Sequence, residues 1–200
     1  MPTNRLNSAT TTLALLLLPS VAFAHTGLGD TGGLAHGFAH PASGLDHVLA
    51  MVMVGLFAAQ LGGRALWLLP AAFVGLMAAG GALGIAGLGL PFVEAGIALS
   101  VAALGAAVAF KLRAPLAATM GAVGLFALFH GHAHGAEMPA GADGLLYAAG
   151  FVAATALLHL AGIAIGLLLG RTADRRGEAV VRASGALACL AGIFLLFASH

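Results

Sequence analysis

The sequence predicts an all-α polytopic membrane protein, a bundle of six transmembrane helices following a cleaved signal peptide. Three observations predict it. The chain of 200 residues is 60% hydrophobic and only 8% charged, with 30 glycines, a composition far from that of a soluble globular domain. Apolar runs near the length of a spanning helix, about 20 residues, recur six times after residue 24. Every Lys and Arg beyond residue 24 falls in alternate connections between those runs, or, for Arg182, just inside the run that follows one. A formal net charge of +1 and the lack of any basic run exclude a nucleic-acid partner.

Residues 1–24 read as the signal. Arg5 opens it, the apolar run Leu13 to Leu18 follows, and Val21-Ala22-Phe23-Ala24 supplies a small-residue cleavage site. An uncleaved anchor is the competing reading, against which the shortness of the apolar core weighs. Cleavage leaves His25 at the new terminus, where its amine and imidazole form a chelate or belong to an irrelevant disordered end.

Residues 25–200 then form a single integral membrane domain with spans near 45–61, 65–83, 92–110, 114–129, 145–169 and 179–198. The first and fourth are short. Gly62-Gly63-Arg64, Gly84 to Pro91, Lys111-Leu112-Arg113, Gly131 to Asp143 and Gly170 to Glu178 punctuate them. Frequent Gly and Ala within the spans, Gly80, Gly81 and Gly84 among them, indicate close helix packing. Cys189 lies in the last apolar run with no second cysteine to pair with, and reads as a small core residue.

A cleaved signal places the mature N-terminus outside. Arg64, Lys111, Arg113, Arg171, Arg175, Arg176 and Arg182 are then cytoplasmic, while the outward segments carry Asp30, Glu94, Glu137 and Asp143. This is the positive-inside arrangement of a bacterial inner-membrane protein with a periplasmic N-terminus. His25, His36, His40, His47, His130, His132 and His134 all fall at or near the outer face, and His200 ends there too. His159 alone is deep, because about 14 residues of helix at roughly 1.5 Å each carry it to the midplane or past it.

Ionisable groups at such places are costly and usually functional. In His40-Pro-Ala-Ser-Gly-Leu-Asp46-His47, two imidazoles flank a carboxylate where the first span begins. Imidazole with carboxylate suits a first-row divalent ion such as Ni²⁺, Co²⁺ or Zn²⁺, whereas Mg²⁺ and Ca²⁺ favour oxygen. Adjacent helical residues point about 100° apart, so Asp46 and His47 share one partner only at a helix start, which Gly44 supplies. Pro41 and Gly44 are expected to keep His40 on a non-helical segment that folds back over the site. The plainer reading makes Asp46 an N-cap and His47 an interfacial residue.

The second cluster is Phe129-His130-Gly-His132-Ala-His134-Gly-Ala-Glu137. If the helix continues, His130, His134 and Glu137 share a face by i, i+4 and i, i+3 spacing, and His132 points away. Gly131 and Gly135 weaken that helix but also suit an unwound end lining a cavity. A solvated His-rich loop is the alternative.

Other candidates are weaker. His159 is either a relay ligand or a hydrogen-bonded structural histidine. Glu94 pairs with Ser100 two turns deeper, or only steadies its own helix N-terminus. Met51 and Met53 offer thioethers but read more readily as packing residues. His-Glu-x-x-His, a P-loop and Gly-x-Ser-x-Gly do not occur, so nothing points to an enzyme.

The two motifs, with Val48-Leu-Ala-Met-Val-Met-Val-Gly-Leu56 after the first, resemble the HupE/UreJ family. Glu94 to Ser100, Leu158-His159-x-x-Gly162 and the signal segment extend the resemblance over nearly the whole chain. It implies a small nickel permease serving hydrogenase or urease maturation. His40, Asp46 and His47 match the first family motif and His130, His134 and Glu137 the second, both implicated in nickel passage. His36, His132, His159, Glu94 and His25 remain secondary or pathway candidates.

The expected function is therefore uptake of Ni²⁺ across the inner membrane, with the ion as cargo and no permanently bound cofactor. Cobalt would satisfy the same ligands. Protons compete with metal for imidazole and carboxylate, so acid should inhibit capture. The rivals are a metal sensor or buffer, and a haem-binding electron-transfer subunit using, for example, His130 and His159. Expected partners are the metal ion, the lipid bilayer and maturation proteins of hydrogenase or urease; oligomeric state is not legible.

Overall fold

The computed structural model describes residues 33–171 and 175–198, which form seven helices and, among the described residues, no strand. They are α1 (Gly33–Ser43), α2 (Leu45–Leu61), α3 (Ala65–Ile85), α4 (Val93–Phe110), α5 (Leu116–Ala136), α6 (Gly144–Arg171) and α7 (Arg175–Ala198). The signal segment, His25 and His200 lie outside the described residues.

Helices α3 to α7 are each long and apolar enough to cross a membrane. The 17-residue α2 passes that test only together with α1, from which it is bent by 83°. The bend falls at Gly44, whose backbone is extended at φ −95° and ψ 120°. This all-helical architecture agrees with the polytopic bundle expected from hydropathy.

Side-chain contacts fix which helix ends share a side. Gln60 Nε2, at the end of α2, donates to the Val108 carbonyl near the end of α4 (3.0 Å). Arg182 Nε on α7 donates to the neighbouring Ala109 carbonyl (2.9 Å), and Lys111 Nζ stands 3.0 Å from Glu178 Oε1. Basic residues therefore gather at the end where α2 and α4 finish and α7 begins. The α1–α2 junction, the start of α4 and the end of α5 occupy the opposite end, and the described histidines other than His159 are there.

Small residues set the packing. α3 lies against α5, α4 against α7, and both α1 and α2 against α6. A Cβ at Gly80 would run into the Leu128 carbonyl, one at Gly55 into that of His159, and one at Gly105 into the Cys189 amide. Backbones this close replace water-driven burial with dispersion contacts between helices, as expected in lipid. Phe73, Met51, Leu69, Met77, Val54 and Val101 fill the core, while Leu187, Leu190, Phe194 and Phe197 of α7 face outward.

Two local expectations are corrected. His40 is helical, because Pro41 is accommodated inside α1 and the break comes three residues later, at Gly44. The fourth span does not stop at residue 129 or unwind; α5 continues to Ala136. Gly131 and Gly135 serve close approach, since a Cβ on either would meet the carbonyl of Met77 or Gly81 on α3.

Candidate metal centre

The centre is built where the α1–α2 bend meets the last turns of α5. Asp46 stands in the first turn of α2. Its Oδ1 accepts the His47 backbone N–H (2.8 Å) and lies 3.3 Å from His47 Nδ1. A carboxylate only accepts, so His47 carries its proton on Nδ1 and turns an Nε2 lone pair inward.

That Nε2 faces two rings of α5. His130 Nδ1 stands 2.9 Å away, and His134 Nε2 is also in contact with it. His47 is more than 80 residues from the other two in sequence, and all three side chains are buried: His47 is 4% exposed, His130 0% and His134 6%. Continuation of α5 brings His130 and His134, one turn apart, onto one face.

A second group shares His134. His40, His134 and Glu137 each offer a ligand atom, and these atoms lie within 4.8 Å of one another. His40 Nε2 is 3.2 Å from Glu137 Oε2, and His134 Nδ1 is 3.8 Å from the same oxygen. Glu137, 57% exposed, marks the outer side of the group. A cavity of about 190 Å³ is lined by His40, Asp46, His47, Glu94, His134 and Glu137, with Ile97 and small neighbouring residues completing the wall. Glu94 is thus both in the first turn of α4 and on the cavity wall. A larger cavity, about 480 Å³ between α3, α5 and α6, is almost wholly apolar and meets the centre only at His134.

The remaining candidates fall on either side. His36 is exposed and its ring centroid is 6.1 Å from that of His40, one turn further out. His132 does turn away from the cluster, with Nε2 donating to the Leu88 carbonyl (2.7 Å). His159 is 1% exposed and neither ring nitrogen has a hydrogen-bond partner. The Phe73 ring neighbours both it and the centre, 5.7 Å from His130 and 5.1 Å from His159.

Two contributors were not assigned to the cluster from sequence. Phe73 carries no signal that separates it from other apolar residues of α3. Ser100, buried on α4, has its Oγ 2.7 Å from His130 Nε2; a hydroxyl inside an apolar helix was the one available hint, and sequence reasoning paired it with Glu94.

Fold and site together define a polytopic helical membrane protein with a buried cluster of imidazoles, backed by carboxylates, at one end of its bundle. The chain belongs to the HupE/UreJ family, whose sequence profile, described as HupE / UreJ protein, matches residues 13–195. It is 52% identical over 187 residues to Protein HupE of Rhizobium leguminosarum bv. viciae, covering 94% of this chain and 96% of that one. No solved structure matches it.

Proposed function

We propose that this protein is a permease for a divalent transition metal, nickel foremost, that carries the ion across the bacterial inner membrane for hydrogenase or urease maturation. One observation carries the reading: ring nitrogens of His47, His130 and His134 converge at a buried point. Nitrogens bound to a common ion at about 2.0–2.1 Å stand roughly 3 Å apart or a little more, close to the 2.9 Å between His47 and His130. Borderline nitrogen ligands favour nickel over cobalt by the usual stability order, modestly.

In this reading His40, Glu137 and Glu94 receive the hydrated ion at the outer end, aided by His36. Their carboxylates attract it, and His134, common to both groups, hands it to His47 and His130. Asp46 acts mainly by orienting His47. His159, beyond Phe73, is the next nitrogen along the path, and its two unpartnered ring atoms suit a relay better than a structural histidine. With the histidine end outside, an inside-negative potential draws the ion in. Two charges crossing 100 mV gain about 4.6 kcal/mol, so no nucleotide is required.

The haem alternative gives no purpose to the carboxylates set against the imidazoles, Asp46 beside His47 and Glu137 beside His40. The test is uptake of radioactive nickel by cells expressing the chain or its His47→Ala variant, at matched membrane levels with excess magnesium. Uptake above the vector control that disappears in the variant supports the permease. Equal uptake by both would overturn the role given to the cluster.

A further inference from the structure

Ser100 sits 30 residues from His130, on a different helix, and its side chain is wholly buried. Its Oγ lies 2.6 Å from the Ile97 carbonyl oxygen and 2.7 Å from His130 Nε2. A carbonyl oxygen cannot donate, so at this separation the single hydroxyl proton lies between Ser100 and Ile97. Ser100 Oγ then has only lone pairs to offer His130. The contact is a hydrogen bond only if His130 Nε2 carries the proton and donates it.

That assignment reaches the centre. A neutral imidazole protonated on Nε2 has its lone pair on Nδ1, the atom 2.9 Å from His47 Nε2. Asp46, by accepting from His47 Nδ1–H, has already left a lone pair on His47 Nε2. Two lone pairs face each other across a buried gap, a repulsive arrangement that a cation between them turns into an attractive one.

We propose that Ser100 is a positioning residue which, with the Ile97 carbonyl behind it, locks His130 in the Nε2–H tautomer and so presents Nδ1 to the ion. The role rests on the metal-handling reading of the cluster. It is the outer-sphere device by which metal-bound histidines are oriented, here supplied by a hydroxyl relaying to a backbone carbonyl, where His47 uses a carboxylate. A bare serine–histidine contact serving only to join α4 to α5 would not need the Ile97 bond to fix its direction.

The test combines two readouts on purified, detergent-solubilised full-length chain. Ring-¹⁵N histidine NMR of the metal-free protein, with His130 assigned by loss of its signals in His130→Gln, reports the tautomer. Equilibrium dialysis against Ni²⁺ reports affinity. Wild type should show a protonated Nε2 and unprotonated Nδ1 at His130. Ser100→Ala should mix the two tautomers and weaken nickel binding about 10- to 100-fold, and Ser100→Thr should restore both. If Ser100→Ala folds poorly, Ser100→Cys, close in volume but a weaker hydrogen-bonding group, is read the same way.

Unchanged His130 signals and unchanged affinity in Ser100→Ala, against a wild type that binds nickel, overturn the proposal and leave the permease reading standing. Weaker binding with an unchanged tautomer also overturns it, by reducing Ser100 to packing. A wild type that shows the expected ring pattern yet binds no nickel overturns the metal reading, and with it the purpose given to Ser100.

Discussion

His134 is where the outer and inner groups join. One ring nitrogen faces His47 and the other stands 3.8 Å from Glu137, so one imidazole belongs to both an exposed carboxylate site and a buried histidine site. Neighbours set the ring orientations, and in the proposed permease they separate the residues that would meet the ion from those that share its motif. Asp46→Ala removes the acceptor that fixes the His47 tautomer, so nickel affinity should fall about 10- to 100-fold by dialysis. His132→Ala alters a ring committed to the Leu88 carbonyl, and nickel uptake should stay at the wild-type rate. Loss of uptake in His132→Ala at normal membrane levels would contradict this division of the His-rich motif.

At the scale of elements, the close approach of α3 and α5 holds the α5 histidines against α2. A Cβ at Gly131 would meet only backbone atoms, the Met77 carbonyl and the Gly81 amide, so no side chain can yield and the helices must part. Gly131→Ala should therefore destabilise the protein by about 1–3 kcal/mol, the usual cost of overpacking, read as a lower unfolding midpoint in detergent. Nickel uptake should fall with it. Gly121→Ala on the same helix, with open space around it, should hold or raise that midpoint because alanine favours helix. Equal effects at the two positions would refute the packing account.

The six long helices were legible because each apolar run is bounded by glycine or charge, and the start of α2 at Leu45 and its end at Leu61 follow from Gly44 and Gly62; α1 was not read from the sequence. The last two turns of α5 were not. Alternating histidine and glycine depress hydropathy there, while burial against α3 and the α1–α2 junction keeps those residues helical. His40 was misread for a related reason: Pro41 resembles a helix breaker, yet here the turn waits for the extended backbone of Gly44. The ligand types in both motifs were readable from composition and spacing. Their convergence was not, because the His47–His130 and Ser100–His130 contacts span 83 and 30 residues, and only tertiary packing brings such pairs together.

On the scale of the whole molecule, charge and chemistry sit at opposite ends of the bundle. Arg64, Lys111, Arg113 and Arg182 are at the end where α2 and α4 finish, and the described histidines other than His159, with most exposed carboxylates, at the other. Rings lie in succession from exposed His36 through His40, His134, His47 and His130 to Phe73 and buried His159, with neighbouring centroids 3.9–6.1 Å apart. A binding protein needs a site; a graded series leading from an exposed end into the bilayer interior suits movement. The most direct measurement is nickel entry into proteoliposomes holding the purified protein and a trapped nickel indicator, under an imposed inside-negative potential. Accumulation that requires the potential and vanishes in His47→Ala is the predicted result. Nickel that binds tightly to the protein but never reaches the trapped indicator would contradict transport and leave a sensor or buffer.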